Sequence, residues 1–209
     1  NELGSNEILL VAGKGHEETQ DYGNKILNFS DKKIIKEIIR GKKFPYKKSY
    51  YQDFLLRKSF NNSNIKNVNY NRVSINSKNI KKNDLFFAIK GKKNDGHQFA
   101  SHAIKKGAVK VVISKKIQKI PKNKLIKSKN TFSSLNNLAK VSRDSTTAEI
   151  IGITGSVGKT TLKNLVSFSL KSYGKVYHSP HSYNNKFGVP LSLSNLKKST
   201  AYGVFEIGM

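Results

Sequence analysis

Glu149-Ile150-Ile151-Gly152-Ile153-Thr154-Gly155-Ser156-Val157-Gly158-Lys159-Thr160-Thr161 is the stretch that decides the fold of this chain. Its first five residues form a short apolar run of strand type. From about Thr160 to Tyr173 a helical period places Leu162, Leu165, Val166 and Ser169 on one face. Strand, glycine turn and helix N-terminus together make an anion cradle. The glycines let backbone N–H groups close around a polyphosphate, and the helix dipole adds partial positive charge. In such a cradle Lys159 reaches the β- and γ-phosphates and the Thr160 hydroxyl can ligate Mg²⁺. The strict pattern G-x-x-x-x-G-K-[ST] is not met, because the position five before Gly158 is Ile153, and what stands is T-G-x-x-G-K-T. The expected phosphate-binding set is Thr154, Gly155, Ser156, Val157, Gly158, Lys159, Thr160 and Thr161.

Working outward, the strand KVYHS, a turn with a short helix near Asn185 to Leu196, and the strand AYGVFEIGM follow the loop. Upstream, VNYNRVSIN, DLFFAIKG, FASHAIKKGA and VKVVIS read as strand, strand, helix, strand. A Lys-rich connection over 117–130 and the helical TFSSLNNLAKVSR come next. Such alternation predicts an α/β fold with a mainly parallel sheet. Earlier still, EILLVA over 7–12 predicts a strand ending at Gly13, and Ser30 or Asp31 can cap a helix over 32–40. Residues 41–65 mix Lys, Tyr and Asn with a single apolar patch, Phe54-Leu55-Leu56, and read as a linker. The expected domains are therefore 1–40, a linker 41–65, 66–147 and 148–209, with no internal repeat. A parallel sheet ending directly on its last strand is expected to be unfinished.

Composition narrows the function classes. The 209 residues contain no Cys, which excludes a disulfide scaffold, a thiolate metal site and a Cys nucleophile. No apolar run approaches the roughly 20 residues of a bilayer helix, and the N-terminal NELGSNE is no secretory signal; the expectation is a soluble, cytoplasmic protein without membrane insertion. The formal charge is +26, yet only Arg40, Arg57, Arg72 and Arg143 among 39 basic residues are arginine. Arginine is the usual bidentate reader of phosphates and guanine edges, and the lysines are spread along the chain beside Asn and Ile. A solvated lysine surface is expected, with no nucleic-acid partner. The five histidines show no i, i+4 spacing with carboxylates, so no zinc site is expected, and His178 and His181, flanking Pro180, read as loop polars. No nucleophile elbow is visible.

The run Gly152-Ile153-Thr154-Gly155-Ser156-Val157-Gly158-Lys159-Thr160-Thr161 resembles the ATP loop of the Mur ligases, ATP-dependent enzymes that add amino acids to UDP-N-acetylmuramic acid in peptidoglycan synthesis. Their loop departs from the strict pattern in the same way. Asn184-Asn185-Lys186-Phe187-Gly188-Val189-Pro190-Leu191 resembles the NNxxGVPL segment of the members that add D-alanyl-D-alanine, and Glu206-Ile207-Gly208-Met209 resembles that family's strand end, whose Glu is a magnesium ligand. Ser74-Ile75-Asn76-Ser77-Lys78, Asp84-Leu85-Phe86-Phe87-Ala88-Ile89-Lys90-Gly91 and Asp95-Gly96-His97 resemble the family's N-terminal UDP-sugar domain. Where D-S-R is usual there, this chain carries Asn76-Ser77-Lys78, which changes the charge pattern at that uridine-diphosphate contact. Val11-Ala12-Gly13-Lys14-Gly15-His16-Glu17, with Asn28-Phe29-Ser30-Asp31 after it, is similar to the end of the members that add diaminopimelate or lysine. In those the GKGHE loop holds the incoming amino acid; Gly13 and Glu17 are the matching positions, a carboxylate suiting an ammonium group.

The resemblance thus has two pieces, the tail of one ligase joined to the front half of the next, the arrangement a fused or read-through gene cut at both ends would produce. It implies ATP and Mg²⁺ as cofactors, Lys159 as the catalytic clamp, Thr160 and Glu206 as metal ligands, and Asn184 and Asn185 as nucleotide contacts. Ser77, Lys78, Asp95, Gly96, His97, Gly13 and Glu17 are the implied substrate contacts. The implied reaction joins a UDP-MurNAc-peptide carboxylate to D-Ala-D-Ala through an acyl phosphate. The alternatives are addition of diaminopimelate or lysine, another P-loop NTPase, or a basic nucleic-acid module. What separates the first from the last two is the joint presence of NNKFGVP and EIGM after GKTT. The family's later metal-binding His, modified lysine and C-terminal domain lie beyond Met209, so weak nucleotide binding without turnover is expected of these 209 residues.

Overall fold

The computed structural model describes residues 19–21, 26–28, 48–62, 64–91 and 94–208, and the chain divides into two compact units, Asn1–Tyr46 and Lys47–Met209. In the first unit β1 (Thr19–Asp21) pairs antiparallel with β2 (Ile26–Asn28), Gln20 opposite Leu27. The strand expected over 7–12, the helix expected over 32–40, and Gly13 and Glu17 lie outside the described residues.

The second unit begins where a linker was expected and instead carries the 13-residue helix α1 (Lys48–Phe60). Its buried side is half polar, with Gln52, Asp53 and Ser59 beside Leu55 and Leu56. That mixture hides the apolar period in the sequence. The polar residues are in use: Asp53 accepts from the backbone N–H groups of Asn67 and Val68 at 2.7 and 2.8 Å, and Gln52 accepts from that of Tyr70 at 3.1 Å. They secure the extended entry to the first sheet.

That sheet contains β3 (Val73–Ser74), β4 (Leu85–Phe87), β5 (Lys110–Ile113) and β6 (Leu125–Lys127), parallel and in sequence order, with Val73 opposite Leu85, Phe86 opposite Val111 and Val112 opposite Ile126. The alternation of a strand sends side chains to opposite faces. Leu85, Phe87, Val112 and Ile126 meet α1 and α3 (Thr131–Asp144) through Leu56, Leu135 and Leu138, whereas Phe86, Val111 and Ile113 meet Ala100 and Ala103 of α2 (Ala100–Lys105). Both faces are covered, which is why the run VKVVIS is apolar throughout. Each fully buried Phe or Leu contributes about 1.5–3 kcal/mol relative to exposure. Strand β6 sits in the Lys-rich stretch read as a connection. Only Ile126 of its three residues is buried, so its apolar signal is one residue long.

The second sheet is β7 (Glu149–Ile153), β8 (Val176–His178) and β9 (Tyr202–Glu206), parallel in the order β7-β9-β8, with Ile153 opposite Glu206 and His178 opposite Val204. Helix α4 (Lys159–Leu170) connects β7 to β8, and α5 (Gly188–Ser194) lies between β8 and β9. The two sheets are fastened by Asn195, which accepts from the Val73 N–H at 2.7 Å and donates to the Val73 carbonyl at 3.0 Å, while Leu191 of α5 enters the core under the first sheet. The fold is α/β with parallel sheets, as the sequence predicts.

Helix α4 does not bury the apolar face that its sequence period marks out. Leu162 and Leu165 are exposed, as is Phe168, while Lys163 and Ser167 are buried. The turn that starts the helix fixes its rotation: Thr160 must face β9, and residues 160, 163 and 167 then lie along one side.

Candidate functional site

Strand β7 delivers the chain into the loop Thr154–Gly158, and α4 starts immediately after it. Gly155 has φ +138° and Gly158 φ +79°, conformations that L side chains rarely adopt. A Cβ at either position would point into open space, with no protein atom within 4 Å. The bend of the loop therefore opens onto free space and does not serve close internal packing. Val157 forms its exposed tip. Lys159 Nζ lies over the loop, donating to the carbonyls of Gly155 at 2.5 Å and Ser156 at 3.2 Å. Thr154, Ser156 and Thr161 are solvent-accessible around it.

Beside the loop is the end of β9. Glu206 is 2 % exposed, yet its carboxylate is fully engaged. Thr160 Oγ1 donates to Oε2 at 2.8 Å, Asn184 Nδ2 donates to Oε1 at 2.8 Å, and the Glu206 N–H donates to Ser179 Oγ at 3.1 Å. Burial opposes ionisation of this carboxyl, but the hydrogen bonds from Thr160 and Asn184, with the charges of Lys163 and Lys159, outweigh it and hold Glu206 below its ordinary value. Ser182 Oγ lies 3.3 Å from Thr160 Oγ1. The structure thus brings together Lys159, Thr160, Asn184 and Glu206, although Thr160 and Glu206 are 46 residues apart in the sequence.

An ionised carboxylate and a hydroxyl 2.8 Å apart are hard oxygen donors of the kind Mg²⁺ takes. Among the described residues no group of three or more His, Cys, Asp or Glu gathers that could hold a metal ion. The protein offers too few ligands for a closed cage. The hard oxygen donors fit a magnesium ion, which Thr160 and Glu206 would hold.

Asn185 stands apart from this cluster. Its Oδ1 accepts from the N–H groups of Phe187 and Gly188 at 3.0 and 2.9 Å, capping the approach to α5, and the residue borders a cavity of about 800 Å³ between the two sheets' loops. That cavity is also lined by Ser77, Lys78, Gly96, Phe99 and Tyr183. Gly96 is required there for space, since a Cβ would come 2.7 Å from the Ile89 carbonyl oxygen.

Asp95 and His97 stand behind that wall. The Ser114 N–H donates to His97 Nε2 at 3.0 Å, so the ring proton sits on Nδ1, which donates to Asp95 Oδ1 at 2.6 Å. Lys115, at 2.5 Å, and then the His97 backbone N–H and ring hold the Asp95 carboxyl well below the usual carboxylate range. Both ring nitrogens of the buried His97 are spent on the protein. Its geometry joins the cavity loop to the segment after β5; Asp95 and His97, two of the implied substrate contacts, are not among the residues that line the cavity.

Lys163 is the residue that sequence reasoning missed. It is 1 % exposed, donates to the His181 carbonyl and lies 3.8 Å from Glu206 Oε2. The available signal was the polar seam Thr160-Lys163-Ser167, visible only once Thr160 is turned inward.

Residues 69–147 match the family description "Mur ligase family, catalytic domain", and residues 153–209 match "Mur ligase middle domain". The UDP-N-acetylmuramoyl-tripeptide--D-alanyl-D-alanine ligase of Rickettsia prowazekii is 40 % identical over 142 residues, 68 % of this chain and 31 % of the relative. The enzyme of the same name from Buchnera aphidicola subsp. Baizongia pistaciae is 37 % identical over 150 residues, 71 % of this chain and 32 % of the relative. Among solved structures, MurF from Acinetobacter baumannii superposes with a TM-score of 0.64 at 25 % identity, covering 75 % of this chain and 35 % of that one. Thermotoga maritima MurF in complex with ADP gives 0.54 at 31 % identity, covering 66 % and 32 %. The chain spans about a third of the length of the curated relatives it matches. With the phosphate loop, the Glu206 strand end and both domain matches in agreement, the chain belongs to the Mur ligase family.

Proposed function

We propose that this chain supplies the UDP-sugar-binding domain and the first half of the nucleotide-binding domain of a peptidoglycan-precursor ligase that joins a UDP-MurNAc-peptide carboxylate to D-alanyl-D-alanine. The observation that carries the reading is the convergence of Lys159, Thr160 and Glu206 around one glycine loop whose open side is free of protein atoms. ATP is the proposed nucleotide; a solved relative holds ADP. The proposed partners are small molecules.

A carboxylate is a poor electrophile until one of its oxygens becomes a leaving group. In the proposed reaction a carboxylate oxygen attacks the γ-phosphorus, ADP departs, and the amine then attacks the acyl carbon and expels phosphate. This chain's share is electrostatic. The loop N–H groups and α4 N-terminus bind the polyphosphate, and Lys159 leaves its two loop carbonyls to meet the charge that develops as ADP departs. Thr160 and Glu206 would hold Mg²⁺, which neutralises phosphate charge when bound. The cavity of about 800 Å³, with Lys78 as a cation and the Phe99 ring as a flat apolar surface, is the proposed seat of the UDP portion.

Calorimetric titration of the 209-residue chain with ADP and magnesium, and separately with UDP-MurNAc-peptide, tests the reading. One saturable site for each is expected, and Lys159→Ala is expected to weaken ADP by about 10- to 100-fold, the worth of a charge-assisted bond, without affecting the UDP ligand. Saturation by neither ligand, or wild-type ADP affinity in Lys159→Ala, overturns it.

A further inference from the structure

Helix α4 exposes Leu162, Leu165 and Phe168 and buries a lysine, the reverse of what burial energetics favour. Lys163 occupies a place that an apolar side chain could fill, so its charge has a use there. Its Nζ bonds the His181 carbonyl and lies 3.8 Å from Glu206 Oε2, too far for a hydrogen bond and close enough for strong Coulomb attraction in a dry site. His181 has φ +49°, in the left-handed region, so the turn it belongs to is held in a conformation its own backbone does not favour. That turn supplies Ser179, Ser182 and Asn184 to the Glu206 cluster. Lys163 touches both the carboxylate and the turn's backbone.

We propose that Lys163 is a positioning residue: its buried ammonium fixes the Glu206 carboxylate and ties the Ser179–Asn184 turn to α4, setting the geometry on which magnesium-dependent nucleotide binding relies. The proposal rests on the nucleotide reading above. Without metal the polyphosphate is held by the loop N–H groups and the Lys159 ammonium, which bonds the Gly155 and Ser156 carbonyls, whereas the Lys163 ammonium bonds the His181 carbonyl and faces Glu206, so its removal acts selectively.

The test is ADP titration of the full chain with and without magnesium. Lys163→Met is expected to lose about tenfold or more of the magnesium-dependent gain in ADP affinity, while metal-free ADP affinity stays within about threefold of the unaltered chain. Lys163→Arg, which keeps charge and reach, is expected to retain the gain. Should Lys163→Met fail to fold by circular dichroism, Lys163→Gln carries the same test, since it keeps a donor for His181 and removes the charge. A full gain in the Met or Gln variant overturns the proposal. So does an equal loss of metal-free and metal-dependent affinity, which marks a merely structural role, or failure of Arg to rescue. ADP binding by the unaltered chain with no magnesium effect overturns this proposal alone; no ADP binding at all overturns the nucleotide reading with it.

Discussion

Thr160 Oγ1 donates to Glu206 Oε2 at 2.8 Å, joining the residue after the phosphate-loop lysine to the end of the last strand. The parallel register that sets Ile153 opposite Glu206 makes this contact possible, because loop and strand end then emerge at the same edge of the sheet.

Glu206→Gln is therefore expected to abolish the magnesium-dependent part of ADP binding. The amide preserves shape and an acceptor for Thr160 but carries no charge for a cation, and it leaves Lys163 buried without its counterion. A lowered melting temperature should accompany the loss, since breaking a buried pair from one side costs about 3–5 kcal/mol. Unchanged magnesium dependence in calorimetry would show that Glu206 is not a ligand.

Gly158→Ala separates backbone strain from ligand space. At φ +79° an L residue costs about 1–2 kcal/mol, although the added Cβ meets no protein atom. A modest fall in melting temperature is expected, together with a disproportionate loss of ADP affinity, because the methyl group projects into the cradle. Thermal denaturation and titration on the same sample check both.

Asp95→Asn should alter the acid limb of stability. The Asp95 carboxyl is held below its ordinary value chiefly by Lys115 and also by His97, so its ionised form contributes stability above the unfolded-state value near 4, and that contribution is lost as pH falls through the lower folded value. The wild-type chain is expected to lose more stability than Asp95→Asn between about pH 5 and pH 2, and less so in high salt, because Lys115 is more than half exposed. Parallel acid-denaturation curves would contradict the assignment.

The +26 charge is expected to give only weak, sequence-blind retention on DNA. A dedicated binder neutralising several phosphates shows a log–log salt slope of about −0.9 per contact and retains affinity at physiological ionic strength. Titration of duplex and single-stranded DNA at about 0.15 M salt decides it. Sub-micromolar binding that discriminates between sequences would assign the lysines a nucleic-acid role.

The α/β class, the parallel strands, the phosphate loop and the Thr160–Glu206 pair were legible in the sequence because each rests on a local signal: an apolar run, a glycine at a turn, a strand-end carboxylate. Helix α1 and strand β6 were not. Their buried faces are carried by Gln52, Asp53 and Ser59 in one case and by Ile126 alone in the other, so no period stands out. The inward turn of Lys163 and the closure of His97 Nε2 by Ser114 were decided by tertiary structure alone. A side chain's chemistry is written in the sequence, but its partner is set by the rotation of a helix or the meeting of two sheets. Lys163 meets Glu206 43 residues away and His97 meets Ser114 17 residues away along the chain.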